Sequence, residues 1–282
     1  MFGMRTVAGK CILRATADFA LQPDPSASNH SSLIGLLTQF QPTMTPLDPA
    51  WIDFIFPRDC AVTGGALDTH EPGHLSAQGG RALLRITDPR CGKCGQPLYG
   101  KVLGSKDCPR CTDLPTGFGR AVCAFKSRDL ARELIHRGKY RGEPQLWEDL
   151  CRLACEDAQV RRHLAGSLLI PAPLHPSRLR ERGYDQAARI ARELGRWIPG
   201  ALPADYLRRV RATQQQARLD REARQENLDD AFRLLPGLSI APKQRLVVID
   251  DVLTTGATLA SAARTLRAAG AKVVDAFALA RG

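Results

Sequence analysis

No stretch of this 282-residue chain stays apolar long enough to span a membrane, although 44% of its residues are hydrophobic. The N-terminus lacks the charged-then-apolar run with a cleavage site that marks a secretory signal. The nine cysteines are odd in number and four of them have CxxC spacing, which fits a reducing compartment better than a disulfide scaffold. The expectation from these absences is a cytoplasmic protein. Acid is also in deficit: 29 Asp plus Glu face 40 Lys plus Arg, a net charge of +11. That excess implies anionic partners such as phosphates, nucleotides or nucleic acid, or else charge spread evenly over a basic surface. Composition does not choose between them.

The most informative stretch runs from Arg245 to Gly270. Leu246 to Ile249 is an unbroken β-branched and apolar run, as expected of a strand buried on both faces. Asp250 and Asp251 stand at its end, followed by the small, hydroxyl-rich turn Thr254-Thr255-Gly256-Ala257-Thr258. Leu259, Ala262, Ala263, Leu266 and Ala269 then recur at helical spacing, and Gly270 is placed to stop the helix. A strand, turn and helix of this kind aim backbone N–H groups and a helix N-terminus at one point, which suits a phosphate. Gly256 permits close approach or a positive φ. Carboxylates repel phosphate, so the two Asp must face another part of the ligand; a ribose diol needs such acceptors. This pattern resembles the signature of type I phosphoribosyltransferases, which bind phosphoribosyl pyrophosphate (PRPP). The rival reading is a doubly wound sheet whose turn binds some other anion, or nothing.

Three regions are expected. Residues 1–45, rich in Pro, Ser, Gln and Thr, read as a disordered tail or a mis-assigned start, with Met44 an alternative initiator that would leave Cys11 without a role. Trp51, Ile52, Phe54 and Ile55 then open an amphipathic turn. Residues 46–117 form a turn-rich unit around Cys91-x-x-Cys94 and Cys108-x-x-Cys111, the spacing of a zinc ribbon. Four thiolates leave no open position, so the zinc is structural rather than catalytic. A redox dithiol and four unrelated thiols are the competing readings. Upstream, Cys60-Ala-Val-Thr63 looks like a knuckle that has lost its second cysteine. Help from His70 and His74 would make a second metal site, but surface histidines are the simpler reading.

Residues 118–282 alternate strands and helices, so a mostly parallel α/β sheet is expected, with ligands at the carboxyl ends of its strands. Strands are expected at 121–125, 168–171, 231–235, 246–249 and 272–279, and helices at 128–137, 145–164 and 187–197. Cys151 and Cys155 read as core packing. Lys139 to Gly142 reads as a basic turn, and Arg178, Arg180 and Arg182 as a basic segment before a helix. The polar run from Arg208 to Asn227 is either a mobile flap or an exposed helix.

Taken in order, Phe56-Pro-x-x-Cys60, the knuckles, Lys139-Tyr-Arg-Gly142, Pro171-Ala-Pro-Leu-His175, Arg180-Glu-Arg-Gly-Tyr-Asp-Gln186, the 249–258 signature and Leu279-Ala-Arg281 resemble the ComF (ComFC-like) family. The resemblance covers the chain from about residue 46. It implies a zinc-binding module joined to a type I phosphoribosyltransferase domain, and members are implicated in DNA uptake during natural transformation. By that resemblance Asp250 and Asp251 hold ribose hydroxyls and act in catalysis, Thr254 to Thr258 cup the 5′-phosphate, and Pro173, Leu174 and His175 belong to the pyrophosphate loop. Arg211 and Arg224 lie on or beside a loop closing over PRPP, whose Mg²⁺ is held chiefly by PRPP itself. The transfer acceptor is unassigned, and no residue stands out as a general base. Two departures matter: Asp185 stands where the family usually has Asn, which puts a charge near the diphosphate and bears on catalysis, and the first knuckle is degenerate. The alternative function is a nucleic-acid-handling or adaptor protein that contacts single-stranded DNA or a competence helicase, with a PRPP-sensing or vestigial site. The ribbon has few aromatic residues for base stacking, Tyr99 and Phe118 being the nearby candidates.

Overall fold

The structure is a computed structural model that describes residues 57–68, 70–98, 108–111, 114–115, 117–211, 231–241 and 243–282. The described residues fall within one compact unit, Asp48–Gly282. The expectations for residues 1–45, for Trp51 to Ile55, for Tyr99 and for 212–227, Arg224 among them, lie outside the described residues. No helix among the described residues is long and apolar enough to cross a membrane.

In chain order the elements are α1 (Ala77–Arg81), β1 (Ala121–Lys126), α2 (Asp129–Tyr140), α3 (Leu146–Ala154), α4 (Ala158–Leu164), β2 (Leu168–Pro171), α5 (Pro176–Arg182), α6 (Gln186–Trp197), β3 (Leu202–Pro203), β4 (Leu207–Arg209), β5 (Phe232–Leu234), β6 (Arg245–Leu253), α7 (Ala257–Ala268) and β7 (Val273–Arg281). Five strands form a parallel sheet in the order β1-β7-β6-β2-β3. β6 is its centre because its side chains are apolar on both faces. Val247 and Ile249 pack with Leu134, Leu150 and Ile190 on one side. Leu246 and Val248 pack with Leu259, Ala263 and Leu266 on the other. The expected doubly wound α/β class is the observed one.

After β2 the chain steps outward to β3; after β6 it steps the opposite way to β7. The carboxyl ends of β2 and β6 therefore flank the topological switch point, where such sheets open a crevice. At the far edge, β1 is covered by the N-terminal module. Ile86 N–H donates to Ala124 O at 2.8 Å, Lys126 N–H to Leu84 O at 2.8 Å, and Ala121 N–H to Lys93 O at 2.7 Å. Docking the module thus satisfies an edge that otherwise invites a foreign strand.

Several expectations shift. The helix expected over 145–164 is two helices, because the Asp157 carboxylate caps a fresh start by accepting from Gln159 N–H. Lys139 and Tyr140 are not in a turn but in the last turn of α2. The basic segment before α6 is itself a helix, α5, capped by the His175 side chain and closed by Gly183 at φ 77°. β3 was not expected, and β5 joins β4 in a separate antiparallel pair rather than the main sheet. Cys151 and Cys155 are core residues, as expected.

Candidate functional site

Asp250 and Asp251 do not follow the strand; they lie inside it, since β6 continues to Leu253 by pairing with β7 through Val252↔Ala280 and Leu253↔Arg281. Pairing holds the backbone rigid where two carboxylates emerge. Asp251 is 4% exposed. Its Oδ1 accepts from Lys139 Nζ at 2.7 Å, a pairing across 112 residues. Its Oδ2 is buried and has no hydrogen-bond partner. Such an acceptor costs about 1–3 kcal/mol unless a ligand donates to it. Asp250 is half-buried, and its Oδ1 accepts from Asp251 N–H at 2.8 Å. Burial first, then repulsion from Asp251, push the Asp250 carboxyl up to about 7, against the pull of Lys139, the Asp251 N–H and Arg209. Arg209, at the end of β4, stacks over Phe232 with its guanidinium carbon 5.3 Å from the ring centre.

The turn after β6 is anchored from the last strand. Arg281, 5% exposed, donates from Nη1 to Leu253 O at 2.8 Å and to Thr254 O at 2.9 Å. Thr254 and Thr255 are exposed, and Ala257 and Thr258 begin α7. Gly256 caps that helix at φ 77°, a conformation that favours glycine. A side chain there would also meet Leu114 Cδ1 at 3.1 Å. The first-turn N–H groups of α7 have no intrahelical acceptor, and the first of them, Ala257 N–H, donates to Thr255 Oγ1 at 3.5 Å.

Across the switch point, Pro173, Leu174 and His175 are half-buried just beyond β2. Ala172 N–H donates to Ile249 O at 2.9 Å, tying this loop beside Asp250. Asp185 clamps it: its Oδ2 accepts from Leu174 N–H at 2.7 Å while its Oδ1 accepts from Ala188 N–H at 3.1 Å and so caps α6. Both oxygens are engaged by backbone N–H groups, so the charge that bore on catalysis has a structural use here. An Asn offers one acceptor atom and cannot repeat both bonds in this arrangement. Tyr184 OH, next to it, accepts from Trp147 Nε1 at 2.8 Å and donates to Gly138 O. Arg182 stacks on Tyr140 at 4.8 Å and donates to its OH at 2.9 Å. Arg211 is exposed at the end of a described segment; Arg224 lies outside the described residues.

The second candidate centre is the cysteine cluster. The ligand atoms of Cys91, Cys94, Cys108 and Cys111 lie within 4.8 Å of one another. Sγ of Cys91 is 3.5 Å from that of Cys111, and Sγ of Cys94 is 3.8 Å from that of Cys108. Thiolates about 2.3 Å from a tetrahedral ion stand roughly 3.8 Å apart, so the four fit a metal. Burial pushes the Cys94 and Cys111 thiols up, so their ionised forms need a cation. Gly95, at φ 69°, packs its backbone against Cys123 N, which a side chain would approach to 3.1 Å.

The degenerate knuckle repeats this backbone without the ligands. Cys60 N–H donates to Gly65 O and Gly64 N–H to Cys60 O, as Cys91 N–H does to Gln96 O and Gly95 N–H to Cys91 O. Asp59 bridges Ala66 as Arg90 bridges Pro97. Its single sulfur is held by hydrogen bonds: Ser76 donates from its N–H and Oγ to Cys60 Sγ at 3.3 and 3.2 Å. Burial raises the Cys60 thiol, but bonds from Ser76 and Thr63 outweigh it and bring it down to about 6. His70 and His74 do not join Cys60. His74 N–H donates to Asp149 at 2.7 Å, and the four-cysteine group is the one cluster suited to a metal among the described residues.

Sequence reasoning named Lys139 and Arg281 only within motifs and Arg209 only within a polar run, and gave none of them a role at the site, because each role depends on a partner distant in the chain or carried by the backbone.

With this geometry established, similarity to known proteins sharpens the class. Residues 179–282 match the model of the phosphoribosyl transferase domain. The chain is 31% identical over 199 residues to competence protein F of Haemophilus influenzae, covering 68% of this chain and 85% of the relative. It is 31% identical over 196 residues to the DNA utilization protein YhgH of Salmonella typhimurium, covering 68% and 83%. Competence protein ComFC of Streptococcus pneumoniae is 25% identical over 216 residues, covering 71% and 91%. The chain belongs to the ComF competence protein family.

The strained titration of Asp250 has a measurable consequence. Its pKa is raised on folding, so the native state holds the extra proton between about pH 4 and 7 and this group's contribution to stability falls as pH rises through about 7. Asp250→Asn is therefore expected to melt about 2–6 °C above wild type at pH 8, with the gap shrinking toward pH 4. A gap that widens at acid pH contradicts the assignment; thermal melts across the range decide it.

Proposed function

We propose that the protein binds PRPP at the crevice between the carboxyl ends of β2 and β6 and transfers its phosphoribosyl group to an acceptor. The observation that carries this reading is the buried Asp251 Oδ2, an acceptor with no hydrogen-bond partner, beside half-buried Asp250 and next to a helix N-terminus. A ribose diol donates to the two carboxylates, while the Thr254–Thr258 turn and the first N–H groups of α7 receive the 5′-phosphate. The loop at Pro173–His175, held by Asp185, is assigned to the diphosphate in this reading.

In the transfer, the bond from ribose C1 to the diphosphate oxygen breaks, pyrophosphate departs with the electron pair, and an acceptor nitrogen forms the new bond to C1 and loses a proton. Asp250 and Asp251 fix the ring through its hydroxyls, and their negative charge lies near the developing positive charge of the sugar. Lys139 pairs with one oxygen of Asp251 and holds the side chain aimed. Bound Mg²⁺ would supply charge neutralisation of the diphosphate, held chiefly by PRPP with acidic residues assisting. An amine or a nitrogenous base suits as acceptor. Arg211 and Arg224 are proposed to close over the ligand.

We assign the cysteine cluster a structural zinc ion and the protein a cytoplasmic location, where thiolates stay reduced. The division into a module over 46–117 and a transferase domain over 118–282 belongs to the same reading. The names of the relatives, a competence protein and a DNA utilization protein, also favour a role in handling DNA, through single-stranded DNA or a competence helicase. This reading is compatible with PRPP binding in the same chain.

Calorimetric titration of PRPP with Mg²⁺ is expected to show binding by wild type and a loss of at least about a hundredfold in Asp250→Ala/Asp251→Ala with the fold retained. No binding by either protein sinks the transferase reading, and salt-sensitive DNA binding that survives the double substitution would then carry the alternative. Elemental analysis is expected to find one zinc per chain, lost in Cys94→Ser together with about 3 kcal/mol or more of stability. A full zinc complement in that variant would refute the assignment.

A further inference from the structure

At the amino end of the edge strand β1, two strands across the sheet from β6, where the cysteine module meets that strand, there is a pocket of about 320 Å³. Arg90, Arg120, Arg162, Gln159, Cys91 and Gly92 contribute to its wall, and no Asp or Glu lines it. Arg90 is the buried member, its side chain 6% exposed. Its Nε donates to Asp88 at 3.1 Å and its Nη2 pairs with Asp157 at 2.8 Å, but its Nη1 is buried without a partner. Gln159 turns its amide nitrogen to Asp88 at 2.8 Å, holding that carboxylate to one side. Arg120 and Arg162 are exposed, and among the described residues neither guanidinium has a hydrogen-bond or ion-pair partner. Only the Arg120 backbone is engaged, by Asp275 at 3.1 Å. A side chain added at Gly92 would meet nothing within 4 Å, so the knuckle leaves the mouth open.

We propose that this pocket is a second anion site that takes a phosphate group on Arg120 and Arg162, with Arg90 as its buried floor. Guanidinium forks match phosphate oxygens in charge and in planar geometry, and two partnerless forks that share a pocket wall with a third suit such a group. The acids that balance Arg90, Asp88 and Asp157, sit outside the lining, so the pocket keeps the surplus charge of Arg120 and Arg162. The site is independent of the crevice at β2 and β6. The phosphate comes either from a free oligophosphate or from the backbone of a nucleic-acid strand.

The test uses the full metal-loaded chain and two probes, inorganic pyrophosphate and a thymidine oligonucleotide of about ten nucleotides. Binding is followed at the Gln159 side-chain amide and the Cys91 amide resonances, which belong to the pocket wall and to none of the crevice residues. Arg120→Gln/Arg162→Gln is expected to weaken at least one probe about tenfold or more, with metal content and PRPP binding unchanged. Gly92→Asp, which keeps all three arginines and adds an opposing charge, is expected to do the same. If the source is a strand, the oligonucleotide is the probe affected and its logarithmic salt slope falls by about 1–2; if it is a free oligophosphate, pyrophosphate is affected instead. Probes that bind both variants within about twofold of wild type overturn the proposal. So does binding that falls only in step with loss of metal, since the arginines would then serve the thiolates.

Discussion

Two carboxylates inside a central strand dominate this structure. A buried acid is stable only with a cation or donors beside it, and the chain supplies Lys139 for Asp251 and the Asp251 N–H for Asp250. The supply is incomplete: one oxygen of Asp251 stays without a partner, and Asp250 is pushed toward neutrality. The proposed ribose diol would supply the missing donors at this switch point. The neighbouring loops are tied to backbone rather than left mobile, by Arg281 on one side and Asp185 on the other.

The cysteine module is joined to this arrangement physically. Leu114, just beyond Cys111, lies under Gly256 at the turn into α7, and Gly117 O accepts from Arg267 Nε at 2.7 Å on the same helix. The four cysteines share one apolar cluster with Leu259, Leu266 and Val248. A metal held by the four cysteines would therefore order the module and also brace the wall behind the Thr254–Thr258 turn. The knuckle at Cys60 secures the same backbone turn differently, with hydrogen bonds to a single sulfur where the other knuckle belongs to a cluster of four thiols.

What could be read from the residues in order was whatever is local. The run Leu246–Ile249, the glycine at 256 and the alanine-rich period after it specify strand, turn and helix within one stretch, and the CxxC pairs specify their own loops. The Lys139–Asp251 pair joins residues 112 apart, and nothing in Lys-Tyr-Arg-Gly indicates its target. Asp157 breaks an apolar period that runs on through it, because a cap costs one residue and leaves the pattern unchanged. Asp185 looked like a misplaced charge near a diphosphate; only the fold shows that Leu174 and Ala188 take both oxygens. The pairing of β4 with β5 spans a long connection that local pattern does not encode.

The most direct measurement is an experimental structure of the protein with PRPP and Mg²⁺. The expected result places both ribose hydroxyls within hydrogen-bond distance of Asp250 and Asp251, with the Asp251 Oδ2 satisfied, and the 5′-phosphate at Thr254–Thr258 against the first turn of α7. Ligand bound elsewhere, or a crevice that leaves Asp251 Oδ2 without a donor while PRPP is bound, would contradict the account.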